Sequence, residues 1–408
     1  DRVIPGVRSQ EFTHVFRDHG WQVEIVKYGS KLREAFAREG GEALERRIDE
    51  MPNPEYQSLL RKGGADIRRL VVDNAPEADR AALSAVLGAY EDEALPALIG
   101  DLGGHDLGDM IAALDRADAD PDRPTVIFAF TVKGWGLPIA GHPMNHSALL
   151  STPQVDELRG QLADVEDEWA GFAADSPEGR LCTASAERLS EKHAAPAQRV
   201  DPYAIPHEFG PVTSRPTSSQ DAFARVLQDI ANVEEVARHV VTTSPDVSIS
   251  TGLGGWINKR GVFSPEVEEV FAIEDAGPLK WEPSPKGQHI ELGISEMNLF
   301  LLLGQLGLGA ELHGHQLLPV GTVYDPFVCR GLDALIYSVY SGARFVFAGT
   351  PSGVSLSREG GAHQSSITAS IGMELPGLTM WEPCFALETE WVMLHGLRDI
   401  VLPDGEAH

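Results

Sequence analysis

The sequence is poor in cysteine, in basic residues and in long hydrophobic runs. Its three cysteines are far apart, so it predicts no disulfide framework or cysteine metal site, and we expect thiols in a reducing cytoplasm. With 33 basic against 61 acidic residues the net charge is -28, which argues against nucleic-acid and anionic-membrane partners. The longest apolar run, around residues 299–308, is about half a membrane span. The first residues are charged and broken by proline, so no signal peptide is expected.

A chain of 408 residues has room for two or three domains. Runs of β-forming residues, such as WQVEIVKYG and PTVIFAF, alternate with amphipathic helical patterns, and this rhythm recurs after TSSQDAF. Such alternation is typical of α/β folds with doubly wound parallel sheets. We therefore predict two such units, the first incomplete, with domains at residues 1–150 and 217–408 and a linker at 151–216.

One carboxylate, Glu296, stands at the start of the long apolar helix predicted after GISE. An ionised carboxylate beside apolar residues is costly unless a partner compensates it. Glu296 is therefore either a solvated residue that favours the helix dipole or a carboxylate kept for chemistry. The residue type and its position alone leave both interpretations open.

Other candidates lie in glycine-rich loops. Lys133 follows a predicted buried strand, at the sheet edge where open α/β folds bind ligands, and a lysine there suits a phosphate or is simply solvated. His142 and His146 are four residues apart but have no third ligand at a useful spacing, so no metal site is predicted. His363, in the loop SREGGAHQSS, serves as a general acid or base or merely caps a turn.

The order of the motifs is more informative than any single residue. TVKGWG, SSQDAF, GISE, YDPF, GGAHQ and WEPCFALE follow one another along the chain. This order resembles the thiamine diphosphate-dependent transketolase superfamily, and within it most closely the homodimeric decarboxylating component of bacterial pyruvate dehydrogenase. The likeness runs from about residue 12 to residue 399. It implies a diphosphate-binding domain followed by a pyrimidine-binding domain.

The resemblance also implies roles for individual residues. Glu296 matches the glutamate that hydrogen-bonds the aminopyrimidine ring of the cofactor and shares a proton with a ring nitrogen. Tyr324 and Phe327 match aromatic residues that pack on that ring. His363 matches the histidine that handles protons on the substrate. Lys133 and His146 match groups near the diphosphate and the substrate entrance.

The function implied is oxidative decarboxylation of a small, pyruvate-like 2-oxo acid, with transfer of the acyl group to a lipoyl-bearing acyltransferase. Thiamine diphosphate and magnesium are the implied cofactors, and a cytoplasmic homodimer is the implied assembly. The family's metal-binding motif and its C-terminal domain have no counterpart in the sequence, so the chain is similar to a middle piece of such an enzyme. We therefore expect this piece alone to be inactive.

Some features leave alternatives open. The loop GGAHQSS is closer to the transketolase loop than to the pyruvate-type loop. A transketolase that moves two-carbon units between sugar phosphates needs basic residues for phosphate, for which Arg215 and Arg358 are the candidates. A catalytically inactive scaffold is the third alternative. Asp246 is the nearest match to a second acidic residue that the family has near the cofactor ring. His193 is the nearest match to the histidine of the family's mobile loop.

Overall fold

The computed structural model describes residues 8–142, 144–162, 167, 169–192, 198–210, 216–266, 281, 283–352, 360–365 and 367–408. The chain divides into two compact units, residues 1–171 and 172–408. Both contain parallel β-sheet covered by helices, which confirms the predicted α/β class. The finer domain boundaries drawn from the sequence stay a prediction.

The first unit holds two parallel strands and a set of short helices. Strand β1 (Gln22–Val26) pairs in register with β2 (Thr125–Ala129). The helices are α1 (Ser9–Asp18), α2 (Ser30–Phe36), α3 (Gly41–Glu50), α4 (Asn53–Leu59), α5 (Gly64–Asp73), α6 (Glu77–Gly88), α7 (Leu95–Ile99), α8 (Leu107–Asp118) and α9 (Thr152–Leu162).

The core of this unit is mostly helical. Leucine, isoleucine and valine side chains from α2, α3, α5, α6 and α7 form one buried cluster. The sequence predicts β2 as a buried strand, but none of its residues is fully buried. In β1, only Val26 is buried. The prediction of a buried β2 is therefore wrong for the part of the chain that the structure describes, because β1 is the only strand found beside it there.

The second unit is built on a six-stranded parallel sheet. Its strands are β3 (Val240–Ser244), β4 (Val262–Phe263), β5 (Pro283–Ser284), β6 (His289–Glu291), β7 (Leu318–Val323) and β8 (Val346–Gly349), in the order β5-β4-β6-β3-β7-β8. The order turns at β3, which lies between β6 and β7. In parallel sheets, such a switch point is where ligands bind, outside the carboxyl ends of the strands.

Helices cover this sheet. The helices of the second unit are α10 (Pro177–Lys192), α11 (Ser219–Ile230), α12 (Glu234–Ala237), α13 (Gly254–Arg260), α14 (Glu296–Gly307), α15 (Gly309–His313), α16 (Leu332–Tyr340), α17 (Thr368–Glu374) and α18 (Ala386–Asp399). The predicted serine cap of α11 is present, because the Ser218 hydroxyl accepts a hydrogen bond from the Asp221 amide.

Helix α14 carries the carboxylate singled out in the sequence. It begins at Glu296, and its buried face, which includes Leu299, Phe300 and Leu303, packs under β7 and against α16. Gly304 allows the close approach of α16, since an added Cβ would stand 2.3 Å from the Ser338 hydroxyl. None of the described helices is long and apolar enough to cross a membrane.

Candidate functional site

The site lies where the chain leaves the carboxyl ends of three neighbouring strands. Tyr324 follows β7 directly, and Asp246 follows β3 by two residues. Glu296 opens α14, five residues after the end of β6. Because parallel strands present their carboxyl ends at one edge, the topology brings these side chains to the same edge of the second unit.

Glu296 is nearly buried, with 8% of its surface exposed. Among the described residues its carboxylate has one partner, Arg330, whose Nη1 donates to Oε1 at 3.2 Å. Arg330 lies at the end of a 3₁₀ turn, Asp325–Gly331, that follows β7. An added Cβ at Gly331 would stand 2.5 Å from the Glu296 carbonyl oxygen, so only glycine allows this turn to press against the first turn of α14.

The Arg330 guanidinium also lies on an aromatic ring. Its central carbon is 3.6 Å from the centroid of Phe327, and the side chain is 55% exposed. An arginine at this distance from a ring makes a cation–π contact. Arg330 therefore joins Glu296 to Phe327, and the sequence reasoning did not identify it.

Phe327, Tyr324 and His363 form one cluster of rings. The His363 ring centroid is 5.1 Å from that of Phe327 and 6.0 Å from that of Tyr324, whose own separation is 5.9 Å. The Tyr324 hydroxyl donates to the Ser250 hydroxyl at 2.8 Å. The structure thus brings His363 against two rings that lie 36 or more positions earlier in the sequence, and Arg330 links this cluster to Glu296.

His363 has an unusual feature. Its Nδ1 atom is buried and makes no hydrogen bond within the described part of the chain. Buried polar atoms are normally paired, and an orphan of this kind requires a reason such as a ligand or a catalytic role. The role of His363 in handling protons stays a prediction.

A second carboxylate, Glu291, organises the end of β3. It accepts hydrogen bonds from the Asp246 amide at 2.7 Å and from the His289 ring at 3.2 Å. Burial raises the pKa of Glu291, but these bonds outweigh burial and hold the pKa below its ordinary value. Asp246 has φ of 63°, in the left-handed region that is strained for residues other than glycine. The Glu291 bond holds that strained backbone in place.

A cavity of about 770 Å³ lies elsewhere in the second unit. Its lining includes Thr350, Thr368, Trp381 and Asp325, and burial raises the pKa of Asp325. None of the predicted site residues lines this cavity. We therefore locate the candidate site from the ring cluster and Glu296 and not from this cavity.

In the first unit, Lys133 and His146 meet. The lysine Nζ is 2.9 Å from His146 Nδ1, and the Asn145 amide donates to the Lys133 carbonyl at 2.8 Å. His142 instead accepts from the Met144 amide, so it does not join His146. Across the described residues there is no group of three His, Cys, Asp or Glu side chains suited to a metal ion. The roles of Lys133 and His146 in cofactor binding stay a prediction.

His105 holds the loop that contains Lys133 through two contacts. The Val132 amide donates to His105 Nε2 at 2.7 Å, and the His105 ring stacks on Trp135 with 4.7 Å between centroids. Burial lowers the pKa of His105, which keeps the imidazole neutral and able to accept this bond. His105 lies in the turn GGHD at residues 103–106, and its contact with this loop was not predicted.

Three other sequence candidates lie outside the described residues. These are His193, Arg215 and Arg358.

The arrangement in the second unit suits an aminopyrimidine ring. It combines a nearly buried carboxylate, two half-buried aromatic rings and a buried histidine nitrogen that has no partner among the described residues. A carboxylate is the hydrogen-bond partner such a ring nitrogen requires, and aromatic rings stack on its face. The residues present therefore fit the ring end of the cofactor that the sequence resemblance implies.

Comparison with known proteins agrees with this fold. Residues 216–401 match the family model described as transketolase, pyrimidine binding domain. The chain is 26% identical to the pyruvate dehydrogenase E1 component of Cupriavidus necator over 95% of its length, and 25% identical to that of Pseudomonas aeruginosa over 96%. A solved transketolase mutant from Pichia stipitis aligns over 74% of this chain and 44% of its own, with a TM-score of 0.55 and 17% identity.

The chain spans about half the length of the curated relatives it matches. It covers 45% of the Cupriavidus protein and 46% of the Pseudomonas protein. The likeness to the transketolase structure, at 17% identity, concerns the fold alone.

Proposed function

We propose a function for the chain on the basis of its resemblance to the thiamine diphosphate-dependent transketolase superfamily. Within that superfamily it resembles the E1 component of bacterial pyruvate dehydrogenase. The chain would provide the pyrimidine-binding half of the active site in an enzyme that decarboxylates a pyruvate-like 2-oxo acid. The observation that carries this proposal is Glu296, nearly buried at the start of α14 and joined through Arg330 to a cluster of two aromatic rings and a histidine.

When bound, thiamine diphosphate supplies the electron sink that a 2-oxo acid requires to lose carbon dioxide. Glu296 would hold a proton at the ring nitrogen of the aminopyrimidine, in a position where little water competes for the bond. Phe327 and Tyr324 would orient the ring through their faces. The bond from the Tyr324 hydroxyl to Ser250 restricts the tyrosine to one orientation.

His363 would handle protons on the substrate. Its Nδ1 has no competing hydrogen bond in the described chain, and its ring is held between Phe327 and Tyr324. A histidine titrates close to neutral pH, so it can both accept and return a proton. In this proposal, His363 is the general acid or base of the reaction.

Lys133 and His146 would serve the diphosphate end and the substrate entrance. The chain carries a net charge of -28, so several phosphate charges require cations close by. Lys133 supplies one such charge, and we propose magnesium, bound in the complete enzyme, as the second.

The complete enzyme would pass the acyl group to a lipoyl-bearing acyltransferase and act as a homodimer. The E1 names of the relatives support a place in a multienzyme complex. The free cysteines Cys182, Cys329 and Cys384 support the cytoplasmic location that forms part of the proposal.

The test is a substrate comparison in the complete enzyme that contains this chain, supplied with thiamine diphosphate and magnesium. We expect turnover of pyruvate with an artificial electron acceptor, and none of xylulose 5-phosphate with ribose 5-phosphate. Turnover of the sugar phosphates without pyruvate would favour a transketolase. A complete enzyme that binds no thiamine diphosphate in a calorimetric titration would favour a scaffold without catalysis.

A further inference from the structure

The carboxylate proposed to bind the cofactor ring already has a partner within its own chain. Arg330 donates to Glu296 at 3.2 Å and lies 3.6 Å from the Phe327 centroid. These are the two kinds of contact, a hydrogen bond to the carboxylate and stacking on the aromatic face, that an aminopyrimidine would make. Like that ring, a guanidinium is a flat group of carbon and nitrogen with N–H donors along its edge.

We propose that Arg330 is an internal substitute for the aminopyrimidine, which occupies Glu296 and Phe327 in the free protein and must leave before the ring binds. This inference rests on the proposed function and adds to it a competition within the site. Binding would then proceed in two linked steps, in which the Arg330 side chain swings out and the ring takes its place.

The contacts of Arg330 are suited to being reversible. Its side chain is 55% exposed, so it can turn into water without opening the core. Among the described residues it has no other ion pair or hydrogen bond, and partly exposed pairs of this kind contribute on the order of 1 kcal/mol or less. The chain also holds Arg225 against Glu390, whose side chain is 1% exposed and also binds the Phe209 amide. We therefore expect the Arg225–Glu390 ion pair to stay formed and the more exposed Arg330–Glu296 pair to open.

The substitute also explains how Glu296 is tolerated when no ligand is bound. A nearly buried carboxylate without any partner is strongly unfavourable. Arg330 provides the partner of this carboxylate in the free protein, and this pairing lowers the affinity for a ligand. A ligand that needs a vacant site binds only the fraction of molecules in which Arg330 has left, so its apparent affinity falls by that fraction.

The test measures how tightly the proposed ring site in the second unit binds a small molecule that has no diphosphate group and requires no metal ion. The probe is 4-amino-5-hydroxymethyl-2-methylpyrimidine, titrated by calorimetry into the 408-residue chain at mildly alkaline pH, where the ring is neutral. We expect Arg330→Met to bind it about fivefold more tightly than the wild type, which corresponds to about 1 kcal/mol. Arg199→Met is the matched control, since Arg199 forms a partly exposed pair with Glu311 away from the site and should change nothing.

Salt provides a second measurement on the same proteins. Added salt weakens the exposed ion pair of the wild type, so the wild-type affinity for the neutral probe should rise with salt, while that of Arg330→Met should stay constant. Equal affinity of both folded proteins, or weaker binding by Arg330→Met, would refute the substitution and leave the proposed function standing. Absence of binding to both, with native circular dichroism, would refute the ring site itself and the substitution with it.

Discussion

At the residue scale, Glu296 offers the clearest contrast. It is 8% exposed and opens α14, whereas Glu311, at the start of the next helix, is exposed and pairs with Arg199 at the surface. We expect Glu296→Gln to reduce turnover of the complete enzyme by about 10²–10⁴-fold, because the amide cannot share a proton with the ring. Steady-state assays should show little change for Glu311→Gln, and an equal loss in both variants would contradict the role of Glu296.

His363 gives a second prediction at this scale. The buried Nδ1 makes no hydrogen bond with the described residues, so His363→Asn should change the free energy of unfolding little. The same change should reduce turnover by about 10²–10⁴-fold, because the proposed general acid or base is lost. Thermal unfolding and pyruvate assays of the same preparation separate the two effects. A His363→Asn protein that keeps full turnover would remove the histidine from the mechanism.

A third prediction concerns pH. Burial lowers the pKa of His105, so this histidine should titrate below the ordinary value of about 6.5. Between the two pKa values the unfolded chain binds more protons than the folded one. The stability that His105 contributes is therefore fully present above about pH 6.5 and is lost as pH falls from there through the lower pKa of the folded state. Histidine proton NMR measures the midpoint directly. A midpoint above that of an exposed histidine would contradict it.

The sequence predicted some residues of the site and missed others for physical reasons. Glu296, Tyr324, Phe327 and His363 stand in recognisable motifs, and the structure places them around one point, although their roles stay predictions. Arg330 follows YDPFVC as an ordinary charged residue. Its importance depends on a close packing between Gly331 and α14, which no local pattern reveals.

At the scale of elements, α14 connects the core to the site. Phe300 is fully buried in it, whereas the neighbouring Leu301 is 51% exposed. Phe300→Ala should lower the free energy of unfolding by about 3–5 kcal/mol, through lost burial and the cavity left behind. Leu301→Ala should change it by about 0.5 kcal/mol or less. Chemical denaturation followed by circular dichroism measures both, and equal effects would mean that α14 is not packed as described.

Elements with strong local signals agree with the sequence, and those that depend on distant partners do not. The predicted strands at WQVEIVKYG and PTVIFAF appear as β1 and β2. The segment LPGLTMWEP, whose residues also favour a strand, forms only an isolated bridge between Leu378 and Ala407. A strand requires a neighbour to pair with, and β propensity depends on that context more than helix propensity does.

At the scale of the whole molecule, the residues with proposed roles are distributed over both units. The second unit has the residues proposed to bind the ring, and the first has the Lys133–His146 pair. The relatives are about twice as long as this chain, so the complete enzyme is the right object for activity measurements. The binding of the pyrimidine probe and the unfolding experiments can be measured on the 408-residue chain.

The central claim is that Glu296 activates a bound thiamine diphosphate. The most direct measurement is the rate at which the thiazolium carbon of the cofactor exchanges its hydrogen for deuterium in the complete enzyme, followed by rapid quench and proton NMR. The wild type should accelerate this exchange far beyond that of free cofactor, and Glu296→Gln, with cofactor still bound, should lose most of the acceleration. Equal exchange in the two proteins would contradict the claim.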